Sequence, residues 1–349
     1  NLTITSGSYD TGSNHALTVA GITNVQGTLT CNASTVSLGS GVTSNYGLIV
    51  GNTGTFTGGS GTHTLGSIQG GGGSPGSSIT LSSGTTTIDS EMAGDNEIIE
   101  VSSGANSWND GDGTLVITTP AASRLQLNKS GATLNNLTIN HANANIDLLT
   151  TGLTLTGNLT ITAGELDTGS DVALTVAGDI TNAGTLDYNA SAVSSRKLIS
   201  TGTLTGADGG VCTVTGAGLG ETIRTVDLGG TVSGDVDITL TGAGNNRHED
   251  LQASGNIRNL IVNNAAAVIH TGRDTTLDGN LTITAGTVST DDSGTSVPLT
   301  VTGTTTLGAG SGEDVATLTC NASAVSLGSG VTSGYALIVE VGGTFVGGT

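Results

Sequence analysis

The chain has 349 residues, of which 58 are glycine and only 2% are aromatic, so a core built around large rings is excluded. Its 28 acidic and 8 basic side chains give a formal net charge of −20, which excludes nucleic acid as a partner because phosphate binding needs clustered Lys and Arg. No apolar run reaches the ~18 residues of a membrane span, so we expect no membrane insertion. Because the chain starts at Asn1 without methionine, we expect a mature or internal part of a longer protein.

The first predicted element is the phrase Asn-Leu-Thr-Ile-Thr at Asn1, which recurs at Asn158 and Asn280 and returns as Asn-Leu-Thr-Ile-Asn at Asn136. In every copy Leu and Ile alternate with polar residues, the period-2 pattern of a strand with one buried face. We predict that the apolar residues of these phrases stack into an interior ladder. Its members are Leu2, Ile4, Leu137, Ile139, Leu159, Ile161, Leu281 and Ile283.

Coils of similar length follow one another along the chain. Their starts lie near Asn136, Asn158, Asp179, Thr203, Thr231, Asn256, Asn280, Thr304 and Val331, and the spacing runs from 21 residues (158 to 179) to 28 residues (203 to 231). Glycines punctuate the coils, and we assign Gly157, Gly178 and Gly279 to corners that need φ > 0. Constant strands with variable turns predict an all-β fold, a parallel β-helix or β-solenoid forming an elongated rod.

Regularity divides the chain into three stretches. Residues 1–69 and 121–349 follow the coil pattern, whereas residues 70–120 open on a glycine-rich run and hold the only Trp and the only Met. We interpret residues 70–120 as irregular coils or a loop excursion. The whole chain is then predicted to be one continuous solenoid.

Two distant segments are nearly identical. Leu29–Gly59 and Leu318–Gly348 align without a gap, and 24 of the 31 aligned positions carry the same residue. Such similarity indicates duplication of a structural unit, as in repeat proteins. A solenoid without caps exposes a strand edge at each end, so we expect either that more protein follows or that subunits stack end to end.

The three cysteines are separated along the chain. Cys31 and Cys320 hold the same place in the repeat, and Tyr188 takes that place in a third copy. We interpret these cysteines, with Cys212, as buried thiols that act as small hydrophobes. An intermolecular disulfide is the alternative interpretation.

One acidic segment suggests a metal. Asn109-Asp110-Gly111-Asp112-Gly113 resembles the start of a calcium loop, although the remaining ligands of a full 12-residue loop are missing. Asp110 and Asp112 are therefore candidates for a structural Ca²⁺ site, and a solvated acidic turn is the alternative. We predict no other cofactor.

No catalytic or cofactor-binding residue is predicted. The most polar corner is Arg247–Asp250, for which a small binding patch and a solvated turn are both open. The Asn-x-Ser/Thr sites multiplied by the repeat carry glycans in one interpretation. In the other, their Asn side chains stack as a ladder between coils.

The style of segments such as NLTITAG and LTVAGDITNAGTL resembles the repetitive β-solenoid regions of large bacterial exoproteins and adhesins, and of bacteriophage tail fibres or spikes. The resemblance implies a passive, elongated element on a cell or virion surface, or in the extracellular space. It carries over no functional residue. The resemblance covers most of the chain outside residues 70–120.

These observations lead to a structural or adhesive β-solenoid, a fibre-forming surface element without catalysis. Its expected partner is itself, by end-to-end stacking or as a homo-oligomer, and surface glycans are a further candidate partner. The alternative is a phage tail spike or fibre that binds host glycans. A third hypothesis is a carbohydrate-active β-helix enzyme, a polysaccharide lyase or glycoside hydrolase.

Overall fold

The structure is a computed structural model, and it describes residues 1–12, 14–71, 73–94, 96–101, 106–120, 122–127, 132–148, 152–169, 172–216, 225–242, 247–249, 251, 254–292, 294–309 and 315–348. The described residues form short β-strands and no helix, which confirms the prediction of an all-β parallel solenoid. It has about 13 turns. None of the described residues belongs to a helix with the length and hydropathy that crossing a bilayer requires.

Most of the first 21 strands have three to six residues, and β18 and β20 are longer, with 13 and 9 residues. They are β1 Leu2–Ile4, β2 Ser8–Asp10, β3 Leu17–Val19, β4 Thr23–Val25, β5 Thr28–Thr30, β6 Val36–Leu38, β7 Leu48–Val50, β8 Thr55–Thr57, β9 His63–Leu65, β10 Ile68–Gly70, β11 Ser78–Thr80, β12 Thr85–Ile88, β13 Glu97–Val101, β14 Ser107–Asn109, β15 Thr114–Ile117, β16 Ala122–Leu127, β17 Thr133–Leu134, β18 Asn136–Leu148, β19 Leu153–Leu155, β20 Leu159–Asp167 and β21 Leu174–Val176.

The remaining strands continue in the same style. They are β22 Asp179–Asn182, β23 Thr185–Asp187, β24 Ala192–Ser195, β25 Lys197–Ser200, β26 Thr203–Gly206, β27 Val211–Val214, β28 Val226–Leu228, β29 Thr231–Gly234, β30 Asp237–Thr241, β31 Arg247–Glu249, β32 Asn259–Thr271, β33 Thr275–Leu277, β34 Leu281–Ser289, β35 Asp291–Asp292, β36 Thr295–Ser296, β37 Leu299–Val301, β38 Thr305–Leu307, β39 Ala316–Thr319, β40 Val325–Leu327, β41 Leu337–Val339 and β42 Gly343–Val346.

The chain divides into two compact units. Unit 1 comprises Asn1–Ala177 and Gly184–Leu186, and unit 2 comprises Gly178–Ala183 and Asp187–Thr349. Within each unit, nearly every strand pairs in parallel with a strand one turn away along the chain. The outward and inward side chains of each strand therefore stack on those of the adjacent turns.

Three ladders of strands build unit 1. Ladder A contains β1, β4, β7, β10, β13 and β16. Ladder B contains β2, β5, β8, β11 and β14, and ladder C contains β3, β6, β9, β12, β15 and the start of β18. Each turn thus contributes one short strand to each ladder, with a corner between strands.

The stretch 70–120, the least regular in sequence, carries regular strands where the structure describes it. Strand β11 pairs in register with β8 and β14, and β12 pairs in register with β9 and β15. The additional residues of this stretch lie in corners, such as residues 89–94 and 96 between β12 and β13. A corner can lengthen without disturbing the ladders, because only the strands pair with adjacent turns.

Unit 2 repeats this construction. Thr203 pairs with Thr231 in register, a spacing of 28 residues from one turn to the next. One ladder runs from β24 through β27, β30, β32, β34 and β38 to β41. Another joins β31, β32, β34, β39 and β42. The antiparallel pair β35–β36 sits in a corner, where this copy of the repeat carries extra residues.

Candidate functional site

The predicted ladder residues are inward-facing. Leu137 pairs with Leu159 and Ile139 with Ile161 on adjacent turns of unit 1, and all four are fully buried. Leu281 and Ile283 are equally buried in unit 2, where they stack on Leu260 and Val262. In the first turn Ile4 is buried and Leu2 is half-buried.

Two of the assigned corners, Gly157 and Gly279, require glycine because an atom of another turn lies too close for a Cβ, and not because φ is positive. The backbone N–H of Asn158 donates to Asn136 Oδ1 at 2.9 Å, and a Cβ on Gly157 would lie 2.4 Å from that oxygen. A Cβ on Gly279 would likewise lie 2.4 Å from Asn259 Oδ1. Neither glycine has a positive φ, unlike the expectation from sequence.

The asparagines of the repeated phrases stack between turns. Besides the Asn158–Asn136 bond, the N–H of Asn280 donates to Asn259 Oδ1 at 2.7 Å, and the N–H of Thr304 donates to Asn280 Oδ1 at 2.8 Å. The third assigned corner glycine, Gly178, accepts a hydrogen bond from the Arg196 N–H at 2.9 Å. Each of these Asn side chains therefore links its turn to the next by accepting a hydrogen bond from a backbone N–H.

The other singled-out residues lie apart from one another. Cys31, Cys212 and Cys320 are free and buried, and burial raises the pKa of the first two to about 12. Asp110 and Asp112 lie in the corner between β14 and β15, where Asp112 has a positive φ and is exposed. Of the Arg247–Asp250 corner, Asp250 is outside the described residues.

The first duplicated segment is covered by later turns. In Leu29–Gly59, Leu48 pairs with Ile68 of the next turn, and Phe56 pairs with Ile79. The side chains of Leu48, Val50 and Phe56 are fully buried as a result. The covering turn thus completes the burial of these side chains.

Tyr46 is buried by residues from two later turns. Its hydroxyl donates to Glu97 and lies 3.0 Å from Glu100 Oε2, which also accepts a bond from Gln69 Nε2 at 2.6 Å. Burial, and after it the hydrogen bond to Glu97, raises the pKa of Tyr46 above its ordinary value. The corner before β7 is further held by the Ala93 N–H, which donates to the Thr43 carbonyl at 2.9 Å.

The second segment forms the same strands in the same register. Leu29 pairs with Phe56 in the first copy, and Leu318 pairs with Phe345 in the second. Strands β40, β41 and β42 correspond to β6, β7 and β8 through the duplication, and they pair with β37, β38 and β39. Among the described residues, no strand pairs with their other edge.

Within residues 1–349, no described turn lies over this one, and its apolar side chains are exposed. Tyr46 is 3% exposed and Val50 and Phe56 are 0% exposed, whereas their counterparts Tyr335, Val339 and Phe345 are 75%, 49% and 41% exposed. Of the seven exposed large apolar side chains among the described residues, five lie in this turn. They are Tyr335, Val339, Val341, Phe345 and Val346. We call this set the open face.

Two of the differences between the copies fall where the covering turn touches the first copy. A Cβ on Gly47 would lie 2.8 Å from the Cα of Gly66 in the covering turn, and the second copy has Ala336 at that position. Asn52 Oδ1 accepts the Gly73 N–H at 2.9 Å, and the second copy has the exposed Val341 there. The second copy has lost features that suit this particular covering turn and has gained apolar surface.

The first turn is open on its other side. Strands β1 and β2 pair with β4 and β5, and no described strand pairs with their opposite edges. Tyr9 points along the stack of Leu29 and Phe56, and it is 44% exposed. Leu2 and Tyr9 of the first turn are therefore only partly covered by the described turns.

Sequence reasoning selected the ladders and expected an exposed strand edge at each end, but it did not identify the side chains of the open face. The duplication was visible, but the exposure of Tyr335, Val339 and Phe345 depends on the neighbouring turn and not on these residues. The pair Asn52 and Val341 carried a usable signal. Asn52 accepts a hydrogen bond from the covering turn, whereas the second copy has the apolar Val341 at the same position.

Comparison with known proteins adds no relative. No family model, curated protein or solved structure matches this chain. The relation to adhesins and phage fibres that the sequence style implies is therefore carried forward only as a proposal. The internal duplication of this chain is what identifies the open face.

Proposed function

We propose that this chain is a structural, non-catalytic β-solenoid element that forms fibres by stacking end to end in an extracellular or surface setting. The observation that carries the proposal is the in-register stacking of turns, which both duplicated segments share and which either a further turn of the chain or a second copy would continue over the open face. A core surface without its covering turn is an apolar patch with free strand edges. Such a surface favours addition of another strand by β-augmentation.

The duplication specifies which part of a second copy fits the open face. Strands β1, β4 and β7 share ladder A, and β41 corresponds to β7. Leu2–Ile4 of a second copy would therefore lie over Leu337–Val339 as β10 lies over β7. In the same way, β2 of the second copy would lie over β42, and Tyr9 would stack on Phe345.

The energetics favour a cooperative contact. Fully burying one Val, Leu or Phe side chain stabilises by about 1.5–3 kcal/mol, whereas association costs about 4–15 kcal/mol. A single side chain cannot offset that cost. Several half-exposed apolar residues on both turns, together with two rows of backbone hydrogen bonds, are needed at once.

Net charge opposes the stacking at low ionic strength. Each copy carries a formal charge of −20, so two copies repel until salt screens them. The Debye length falls from about 30 Å at 0.01 M salt to about 10 Å at 0.1 M. Fibre formation is therefore expected to increase with salt, as suits an extracellular medium.

The test is sedimentation velocity and negative-stain electron microscopy of the 349-residue chain over a range of concentrations. The wild type should form end-to-end oligomers, and the double variant Val339→Asp with Phe345→Asp should stay monomeric and folded. Val315→Asp is the matched control, because Val315 is also an exposed apolar residue of unit 2, at 63%. A wild type that stays monomeric at high concentration and salt, or a control as defective as the double variant, would refute the proposal.

A further inference from the structure

Asp110 is half-buried at the corner that follows the last strand of ladder B. In the four preceding turns, the residue that follows the ladder B strand is Thr11, Cys31, Gly58 or Leu81. The N–H of each donates to the next turn, and Leu81 N–H donates to the Asn109 carbonyl at 2.9 Å. Thr11, Cys31 and Leu81 are buried. Asp110 is the next member of this column and the one charged residue in it.

The carboxylate of Asp110 is only half satisfied. Its Oδ1 accepts the Asp112 N–H at 3.2 Å, whereas its Oδ2 is buried and has no hydrogen-bond partner. Burial raises the pKa of Asp110, and the backbone N–H groups of Asp112 and Asn135 nearby oppose that shift. An unpaired buried carboxylate oxygen is costly unless a positive group balances it.

A second unpaired oxygen lines the same recess. Thr86 is 1% exposed, and its Oγ1 has no hydrogen-bond partner. Asp110 and Thr86 come from adjacent turns. The other polar residues of the recess wall are Ser82, Thr114, Asn135 and Asn136. The hydroxyl of Thr86 is independent of the acidic corner, since it lies in β12 on ladder C.

The chemistry of this recess selects a hard cation. Its polar side chains carry carboxylate, hydroxyl and amide groups, and no Cys or His lines it. Oxygen ligands favour Ca²⁺ or Mg²⁺ over transition metals. Ca²⁺ accepts irregular sets of side-chain and backbone oxygens, whereas Mg²⁺ demands near-ideal octahedral geometry. An irregular corner between stacked turns fits the former.

We propose that Asp110 Oδ2 and Thr86 Oγ1 bind one Ca²⁺ ion, which joins two adjacent turns of unit 1. The ion neutralises the interior carboxylate and supplies the missing partner of the hydroxyl. This assignment separates the two acidic candidates, because the exposed Asp112 does not line the recess. Asp110 is the ligand, and Asp112 contributes only long-range attraction.

The experiment measures thermal unfolding of the full chain with CaCl₂ and with NaCl at matched ionic strength. Ca²⁺ should raise the unfolding midpoint of unit 1, and Asp110→Asn and Thr86→Val should abolish that rise. Thr86→Val should unfold no earlier than wild type without Ca²⁺, because it removes an unpaired hydroxyl. Thr305→Val is the matched control, since Thr305 is also buried with an unpaired Oγ1, in unit 2.

Isothermal titration with CaCl₂ provides the second readout. Wild type and Thr305→Val should share a site that Asp110→Asn lacks, with a dissociation constant of about 10⁻⁴–10⁻³ M, the range of extracellular modules. An equal Ca²⁺ effect on all four proteins would show screening of the acidic surface and overturn the proposal. So would the absence of any Ca²⁺ effect, or a stabilisation of unit 1 by mild acid that Asp110→Asn removes, since a proton would then fill the role.

Discussion

Leu29–Gly59 and Leu318–Gly348 form the same strands in the same register, yet their equivalent side chains differ widely in exposure. Phe56 is fully buried and Phe345 is 41% exposed, although both pair with a leucine of the preceding turn. The difference lies in the next turn, which among the described residues covers only the first copy. In a solenoid, burial is set by the neighbouring turn, so one sequence can be buried in one place and exposed in another.

The largest difference in stability is expected when a charged residue replaces the phenylalanine that both copies carry, Phe56 or Phe345. Phe56→Asp places an unpaired carboxylate in the interior and should destabilise unit 1 by about 4 kcal/mol or more. Phe345→Asp should change the stability of the monomer by less than about 0.5 kcal/mol and should prevent stacking. Urea unfolding followed by circular dichroism compares the two. Equal losses of stability would contradict the assignment of Phe345 to an open face.

The covering turn also makes the first copy sensitive to pH. His63 pairs with Val36 of the first copy, is fully buried, and lies 6.2 Å from the Phe56 ring. Burial lowers its pKa from 6.5 to about 4, outweighing the nearby Gly58 carbonyl. The unfolded chain therefore binds more protons between these values, so this stabilisation is complete above pH 6.5 and is lost as pH falls toward 4.

The expected loss is about 3 kcal/mol in unit 1 across that window, since each pKa unit corresponds to about 1.4 kcal/mol. Hydrogen exchange of the β9 amides between pH 7 and 4.5 measures it. His63→Leu keeps a similar volume and should flatten the profile. If the variant and wild type lose stability in parallel, the titration belongs to other groups.

A smaller difference in stability is expected at the position where the first copy has Gly47 and the second has Ala336. Gly47→Ala should cost about 1–3 kcal/mol, because its Cβ would lie 2.8 Å from the Gly66 Cα and 2.9 Å from the Gly39 carbonyl oxygen. Ala336→Gly should cost about 0.4–1 kcal/mol, mainly through the entropy of the unfolded chain. Chemical denaturation of both variants tests this order. The reverse order would mean that Gly66 can move away without cost.

The two tyrosines give the mildest contrast. Tyr46→Phe removes the hydroxyl that contacts Glu97 and Glu100 and should destabilise by about 1–3 kcal/mol at neutral pH. Tyr335→Phe should stay within about 0.5 kcal/mol of wild type, because Tyr335 is 75% exposed. Matched thermal melts of the two variants suffice. A large effect at Tyr335 would reveal a contact that the monomer does not explain.

The fold was largely predictable because the strands of a solenoid appear in the sequence as a local alternation of apolar and polar residues. Leu and Ile alternate with Thr in each Asn-Leu-Thr-Ile phrase, so Ile139 and Ile161 could be assigned to the interior from pattern alone. The function of Gly157 was harder to read. Its requirement comes from Asn136 one turn earlier, a contact between residues 21 positions apart that no local pattern reports.

The candidate site was less predictable for the same physical reason. Tyr46 and Tyr335 sit in nearly the same local sequence, and only the presence of Glu97 and Glu100 over one of them separates their environments. Asp110 is similar: its sequence neighbours suggest an exposed calcium loop, whereas its Oδ2 is buried in a recess that Leu81 and Thr86 of the preceding turn also line. Contacts between turns, not within them, decide both cases.

Cross-linking between two differently labelled copies tests the central claim most directly. One copy carries Thr3→Cys and the other Ile338→Cys, residues that face each other if β1 of one copy lies over β41 of another. Adjacent strands are about 4.8 Å apart, within the Cα range of a disulfide, and the native cysteines are buried. The account predicts a disulfide-linked dimer that Phe345→Asp prevents. A yield no higher than that of Thr3→Cys mixed with Val315→Cys would contradict end-to-end stacking.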